Sequence, residues 1–549
     1  MIENLQNINL DLITDPKSRA LIIMLLNVIE NMQKTITEQA QQIQLLKDEI
    51  HRLKGEQGRP DIKANTKETN TDISSKGKEN NKIKHKKLAK KPYIHIDKTE
   101  YINYDKSKLP DDAIFKFYDK VITQDIIFKR ENILYKIAVY YSPSQNKTYR
   151  SNVPVGKSYF SDSLKSFVIC QNKVCDVTEK KILIMLRSLG IEISAGSLSN
   201  ILLEFADLAQ NQKELILKAG LSCSYTQTDI TGDRFRGKNY YTHIITNDLF
   251  TSFTTLPGKS LLDVLAAYQG QTETSKLGLI YNNETINLLN ESKISKPDLQ
   301  TLKNTFQKNK SLTLEEFELL CKEKIPDLVD KKNIFIKVKT AFALAYYHNQ
   351  AKIPLAKIVV SDNAPEYNKI STKQHALCWI HDAGNYNKLI AYLPIHKKIL
   401  DNFMNRYWQY YKKLLDYKDK PSKESARKLS DEFDNLFVPD KSFFQLNQCI
   451  ERTLENKNEL LTCLKYPQIP LHNNLAELGA RRQVRKRDIS LHTIVPKGTI
   501  AKDAFLTITQ TAIQLGINVF EYVKELVTNK KNQVSLADLI LQKIALEKI

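Results

Sequence analysis

The sequence predicts a mixed α/β fold preceded by a coiled coil, and three observations carry that expectation. An apolar repeat of seven runs over residues 22–54 without a Gly or Pro to break it. Short apolar or alternating runs, bounded by turn residues and ending in acids, recur between residues 226 and 362. Helical periodicity fills the stretches between and after them.

The heptad comes first along the chain. Ile22, Ile29, Ile36, Ile43 and Ile50 recur at every seventh position, and Leu25, Met32, Gln39, Leu46 and Leu53 follow each by three. Ile at a with Leu-like residues at d favours a parallel two-stranded coiled coil, with Gln39 as a polar register mark. Residues 1–54 are therefore expected to bring copies of the chain together; the plainer alternative is an amphipathic helix packed on its own body.

Residues 55–92 change character. Gly55, Gly58 and Pro60 end the helix, and a polar, aperiodic stretch follows. It holds a lysine run, including Lys84, Lys86 and Lys87, that suits phosphate neutralisation without base reading.

Order is expected to resume in a domain over 93–220. The runs at Val121-Ile-Thr123 and Ile133 to Tyr141 read as short strands. Thr178 caps a helix to Leu189, Gly190 breaks it, and a second helix starts near Ser194. This helix-turn-helix pattern places Ser197, Ser199 and Asn200 on a candidate DNA-reading face, although two packed core helices look the same in sequence. Cys170 and Cys175 lack a second ligand pair at zinc-finger spacing and read as thiols.

Three acids then stand in settings suited to chemistry. Thr226-Gln-Thr-Asp229-Ile-Thr-Gly-Asp233, residues 238–246 and residues 249–256 read as three consecutive strands, with turns at Gly232 and at Asn247-Asp248. Lys357-Ile-Val-Val-Ser-Asp362 is a buried strand ending in an acid. Leu471-His-Asn-Asn-Leu-Ala-Glu477 opens a helix capped near Asn473 or Asn474, and Arg481, Arg482, Arg485, Lys486 and Arg487 surround its acid.

Oxygen-only ligands suit Mg²⁺, and two such ions about 4 Å apart can serve the attacking and the leaving oxygen of a phosphodiester. Strand-Asp, strand-Asp, helix-Glu in that order is the pattern of an RNase H-like catalytic core. Asp229, Asp362 and Glu477 are its candidate catalytic residues and metal ligands, and Asp233, Glu366 and Asp382 are reserves. The five cations after Glu477 are candidate DNA contacts. Trp379, His381 and Asn474 are candidate supports of the site; Cys378, His375 and His381 make only a sparse cluster for zinc.

Composition bounds the partners. The chain has 549 residues, too many for one core, and 42% of them are hydrophobic. With 82 Lys and Arg against 62 Asp and Glu, its formal charge of +20 favours a polyanion such as nucleic acid, AT-rich coding bias being the bland source of that excess. Seven scattered cysteines exclude a disulfide scaffold. No basic region precedes an apolar run at the N-terminus, and no apolar stretch approaches the ~20 residues that span a bilayer. A cytoplasmic protein with no membrane partner is expected.

These motifs together resemble the transposases of the insertion-sequence-66 family along most of the chain. Leu53-Lys-Gly-Glu-Gln-Gly-Arg-Pro-Asp61 resembles the family's junction after the zipper. Tyr141-Ser-Pro-Ser-Gln-Asn-Lys-Thr148 and Ile193-Ser-Ala-Gly-Ser-Leu-Ser-Asn200 look like its pre-catalytic domain. Cys378-Trp-Ile-His381 resembles its Cys-Trp-x-His motif, and Asn473-Asn-Leu-Ala-Glu477 its Asp-Asn-Asn-x-x-Glu segment, with His472 where an Asp is usual. The family's upstream cysteine-rich zinc motif is not recognisable.

The resemblance implies a bacterial, nucleoid-associated DNA transposase. Its catalytic core would span 221–495, with largely helical insertions at about 270–350 and 383–468, and helices would follow over 496–549. Two Mg²⁺ ions, with Mn²⁺ as substitute, would be its cofactors. Terminal inverted repeats, target DNA, further copies of the chain and small accessory proteins would be its partners. The alternatives are a multimeric DNA-binding protein that has lost catalysis and a nuclease built on the same core.

Overall fold

The computed structural model describes residues 13–53, 96–103, 113–126, 129–150, 159–367, 369–439, 442–528 and 534–546. Nearly all of the expected linker, with Lys84, Lys86 and Lys87, lies outside them, as does the side chain of Leu53.

Helix α1 spans Pro16–Leu53. Its early turns dock on the chain's own body: Leu26 and Leu393 bury each other, with Ile22, Ile29 and Ile395 packed alongside. Glu30 is 1% exposed. It accepts from the backbone N–H groups of Tyr392 (2.5 Å) and Leu393 (3.0 Å) and pairs with His396 Nδ1 at 3.1 Å. Two of the expected zipper residues, Ile22 and Ile29, thus have cis partners. Leu25, Met32, Ile36, Ile43, Leu46 and Ile50 remain exposed.

Among the described residues between 113 and 150 one hairpin forms, β1 (Val139–Ser142) with β2 (Lys147–Arg150). The expected strands at Val121 to Thr123 and at Ile133 to Ala138 are irregular chain. Strand propensity counts only when a neighbour accepts the backbone hydrogen bonds, and none is offered there among the described residues.

Four helices follow: α2 (Asp162–Lys173), α3 (Glu179–Ser188), α4 (Ala195–Glu204) and α5 (Ala206–Leu221). Thr178 caps α3 and Ser194 caps α4, as their sequences predict. Leu198, Ile201 and Leu202 turn one face of α4 into the core. Ser197 is half-buried and spends its N–H and hydroxyl on the Ser194 side chain, Ser199 is half-buried, and Asn200 faces solvent.

The central sheet has the order β5-β4-β3-β8-β9. Strands β3 (Thr226–Phe235), β4 (Lys238–Thr246) and β5 (Thr251–Leu256) form an antiparallel meander. The first turn lies not at Gly232, which sits inside β3, but at Arg236 (φ +49°) and Gly237 (φ +74°). Two positive φ angles in a two-residue loop match the right-handed twist of a hairpin, which is why Gly is placed there.

After α6 (Leu261–Tyr268), β6 (Gly278–Ile280) and β7 (Ser311–Thr313) pair beside α7 (Asn283–Glu291), α8 (Lys296–Thr305), α9 (Leu314–Lys324), α10 (Pro326–Asp330) and α11 (Lys332–Asn349). These elements occupy the stretch where the sequence places a first, largely helical insertion. Strands β8 (Ile358–Ser361) and β9 (Gln374–Leu377) then join the sheet parallel to β3.

The second insertion packs around its own core. Helices α12 (Trp379–Asn387), α13 (Pro394–Asp419), α14 (Lys423–Leu436), α15 (Phe444–Glu455), α16 (Lys457–Leu460) and α17 (Thr462–Lys465) enclose Trp379, Tyr386, Tyr407, Phe433 and Phe437. The chain returns through α18 (Asn474–Ser490), α19 (Pro496–Gln514), α20 (Val519–Thr528) and α21 (Leu536–Leu546).

Helix α19 closes the free edge of β5. Asp503 accepts from the Thr255 N–H (2.6 Å), Thr507 Oγ1 from Phe253 (3.0 Å) and Thr511 Oγ1 from Thr251 (3.3 Å). Four helix residues rise about 6 Å and two strand residues about 6.6 Å, so the two ladders stay in step. A covered edge cannot recruit a foreign strand. Val168, Leu202 and Leu217 share one buried cluster with Ile245, Val359, Phe505 and Ile540. The boundaries expected at 220 and at 495 therefore fall inside a single core.

Candidate active site

Strands β3 and β8 run side by side in the register Thr226↔Val359 and Gln227↔Val360. Two further steps bring Asp229 level with Asp362. Parallel neighbours about 4.8 Å apart point level side chains to the same face, so the two carboxyls meet where β8 ends. Asp229 accepts the Ile230 N–H at 2.7 Å, and Asp362 takes the Ala364 N–H at 3.3 Å in the turn that leaves the strand.

Helix α18 crosses this strand end because its cap is stitched to β3. The Asn473 side-chain amide donates to Thr228 O (2.7 Å), and the Leu475 N–H donates to Gln227 Oε1 (3.1 Å). The Asn473 N–H donates to Cys378 Sγ at 3.3 Å, and the Trp379 N–H to Leu471 O at 2.9 Å. One turn on, Gly479 lets the helix press onto β4: a Cβ there would stand 2.9 Å from Ile244 Cγ2. Glu477 follows one turn after this stitched cap, its N–H bonded to Asn473 O at 3.2 Å.

The charges report the same assembly. Burial pushes the Asp229 carboxyl up to about 6, with the charges of Asp362 and Glu477 adding to it and His381 opposing. Hydrogen bonding to Cys378 holds the His381 imidazole up to about 9 against its burial, helped by Glu477 and Asp362. His381 Nε2 lies 3.8 Å from Glu477 Oε1. Tyr367 packs beside Asp229 and Asp362, and burial raises its phenol well above the usual range.

The supports sort themselves by burial. Trp379 is fully buried; its Nε1 donates to Leu460 O at 2.9 Å and Tyr407 OH donates to its carbonyl. It backs the site from inside the second insertion and cannot touch DNA. The support expected of Asn474 belongs to its neighbour Asn473.

Two of the three reserve acids are otherwise engaged. Asp233 pairs with Lys502 and accepts from Gln483 and Thr242, and Asp382 accepts from Tyr407 and Thr453 inside the second insertion. Glu366 lies in the short turn of helix after Asp362.

The cations after Glu477 divide by helix face. Arg481 and Arg485 are exposed. Lys486 is 3% exposed, bonded to Asn172 O and near Asp176. Arg482 binds Asp176 and the carbonyls of Lys173 and Val174. Lys486 and Arg482 therefore tie α18 to the end of α2 and are corrected from DNA contacts to structural ones: residues four apart share a helix face, and this face is the buried one. Arg487 donates to Gly232 O and keeps one side to solvent.

Sequence reading passed over Gln227, Tyr367 and the sulfur of Cys378 as an acceptor. Only the Cys-Trp-Ile-His string itself marked that place.

The donor set suits a hard dication in kind: three carboxylates, one of them desolvated. Among the described residues no three His, Cys, Asp or Glu side chains gather tightly enough to grip one ion. Asp362 and Glu477 are nonetheless near enough for their charges to act on Asp229.

Two comparisons bear on this site. Residues 347–499 match the model of the family described as Transposase IS66 family. That segment contains Asp362, the Cys378 to His381 motif and Glu477; Asp229 lies upstream of it. Over this segment the chain is similar to that family, as its motifs suggested. It is also 26% identical over 309 residues to a protein of Sinorhizobium fredii (strain NBRC 101917 / NGR234) named "Uncharacterized protein y4jO", covering 56% of this chain and 93% of the relative. Among the described residues no helix is long and apolar enough to cross a membrane.

Proposed function

We propose that the protein is a DNA transposase with an RNase H-like core, cutting transposon ends and joining them to target DNA at Asp229, Asp362 and Glu477. The observation that carries this reading is the register of β3 and β8, which sets Asp229 beside Asp362, with Asn473 fixing the helix of Glu477 to the same strand. The strand order, with acids on its first and fourth strands and a third acid on a following helix, supports the same core. The family match over the second and third acids supports the reaction class.

Asp229, Asp362 and Glu477 would hold the Mg²⁺ ions. When bound, such ions lower the pKa of an attacking oxygen and stabilise the leaving one. Each step exchanges one P–O bond for another. Water adds to a phosphorus at the transposon end and frees a 3′ hydroxyl; that hydroxyl then attacks a target phosphodiester, whose own 3′ oxygen leaves. The chain's part is to keep the three carboxylates converged, to hold a protonated His381 beside Glu477, and to seat the backbone between exposed Arg481 and Arg485. The exposed apolar stripe of α1 would pair with a second copy and bring two ends together.

The test uses labelled duplexes carrying the ends of the element. Wild type is expected to nick them with Mg²⁺ and to form joined products, whereas Asp229→Asn and Glu477→Gln bind the same duplex without cutting it. Cutting by either variant rejects the assignment. Cutting by wild type without joined products supports the nuclease alternative.

A further inference from the structure

A cleft of about 450 Å³ opens at the far end of β3, lined by Gly232, Arg234, Asn239, Tyr240, Tyr241 and Arg487, with Asp233 at its floor. It lies on the same two elements that carry the acids. From Asn473 beside Thr228 to Gln483 on Asp233, helix α18 tracks β3, ten helix residues against five strand residues. The rises agree at roughly 15 to 17 Å. The cleft therefore begins about 10 to 13 Å from Asp229 along the strand, with Arg481 on the helix short of it and Arg485 level with it.

Its chemistry is that of an anion seat. Arg234, Arg236, Lys238 and Asn239 are exposed around the hairpin. Among the described residues no ion pair occupies Arg234, Arg236 or Lys238; Arg236 Nε donates to Ile494 O at 2.8 Å and its guanidinium lies 5.3 Å from the Phe235 ring centroid. The one acid in the lining, Asp233, is neutralised by Lys502. Asp488, 3.8 Å from Arg487 Nη2, is the counter-charge nearest the mouth. Beyond Gln227 the ladder to β8 stops, and beyond Gly232 and Tyr241, where β5 ends as well, β3 and β4 project as a two-stranded ribbon pinned at its tip by the Arg236 N–H to Thr493 O (2.9 Å). Tyr240 is braced by Phe235, ring centroids 5.2 Å apart.

We infer that this cleft, whose Arg234 and Asn239 lie on the sheet face opposite Asp229 by strand alternation, seats the phosphodiester backbone of the DNA on which the acids act. Arg234 and Asn239 on the hairpin and Arg487 on α18 are its donors. Backbone contacts of this kind set the register of a duplex without reading its bases. The inference rests on the reading that the protein acts on DNA.

The test is binding of a fluorescein-labelled duplex of mixed sequence to the full chain, by anisotropy across a NaCl series with EDTA present. Arg234→Ala with Asn239→Ala is expected to weaken binding by about tenfold at low salt and to make the slope of log Kd against log[NaCl] shallower by about one. Lys322→Ala, which removes a charge on α9 away from the cleft, is expected to leave the slope unchanged. An unaltered slope in the double variant, or an equal loss in Lys322→Ala, overturns the cleft while leaving DNA binding in place. Absence of salt-dependent binding by wild type removes the underlying reading as well. Circular dichroism separates either result from misfolding.

Discussion

The Asn473 side-chain amide donates to the carbonyl oxygen of Thr228 at 2.7 Å, and that single bond joins the cap of α18 to the residue before Asp229. Glu477 follows one turn later, its N–H bonded to Asn473 O at 3.2 Å. An acid far along the chain thus inherits its position from the strand that carries the first.

Asn473→Asp keeps the shape but removes the donor. It is expected to destabilise the chain by about 1–3 kcal/mol, the cost of an unmet buried polar group, and to lower cleavage by more than tenfold with little change in DNA affinity. Urea unfolding and single-turnover cleavage measure the two effects.

Asp229 predicts a linkage between pH and metal. Its folded pKa of about 6 lies above the ordinary 3.8, so without metal the native state binds more protons than the unfolded state between those values. Stability is then greatest below pH 4 with respect to this group, and is lost as pH rises through about 6. At neutral pH that amounts to roughly 2–3 kcal/mol. Mg²⁺ is expected to raise Tm more at pH 7.5 than at pH 5. Asp229→Asn should raise Tm without Mg²⁺ and abolish the Mg²⁺ shift.

Lys173 gives the opposite sign. Burial, with Lys486 nearby, lowers its ammonium from 10.5 to about 7. The unfolded chain therefore holds more protons between pH 7 and 10.5, and stability from this group rises with pH across that window. Lys173→Met is expected to stabilise the protein by about 1–4 kcal/mol near pH 7, and to flatten the pH dependence of unfolding above it.

Helix α1 makes two separable contacts. Glu30→Ala removes the carboxylate that receives Tyr392, Leu393 and His396, and is expected to cost roughly 3 kcal/mol of docking, seen as faster proteolysis within residues 16–53. Ile36→Lys with Ile43→Lys alters residues that are 55% and 53% exposed. Light scattering is expected to report a smaller species for that variant, with the docked turns intact.

Much of this was legible in the sequence where burial and local chemistry agree. The strand runs before Asp362 and around Asp229 are apolar or alternating because both faces are covered, and Thr178 and Ser194 announce their helices by capping. Other features depend on partners that no local pattern encodes. Gly232 resembles a turn but is strand, because the turn chemistry falls to Arg236 and Gly237. Lys486 looks like a DNA contact until α2 supplies Asp176 and the Asn172 carbonyl. Ile22 and Ile29 fit a zipper seam, yet α13 of the same chain takes them. Nothing in the heptad could say which neighbour would arrive.

Titration of Mn²⁺ into the wild-type protein and into Asp229→Asn, Asp362→Asn and Glu477→Gln, followed by the loss of free Mn²⁺ signal in electron paramagnetic resonance, tests the central claim most directly. Shared liganding predicts two bound ions in wild type, and a weakening by about tenfold or more in each variant. Wild-type stoichiometry and affinity in any one of the three would contradict it.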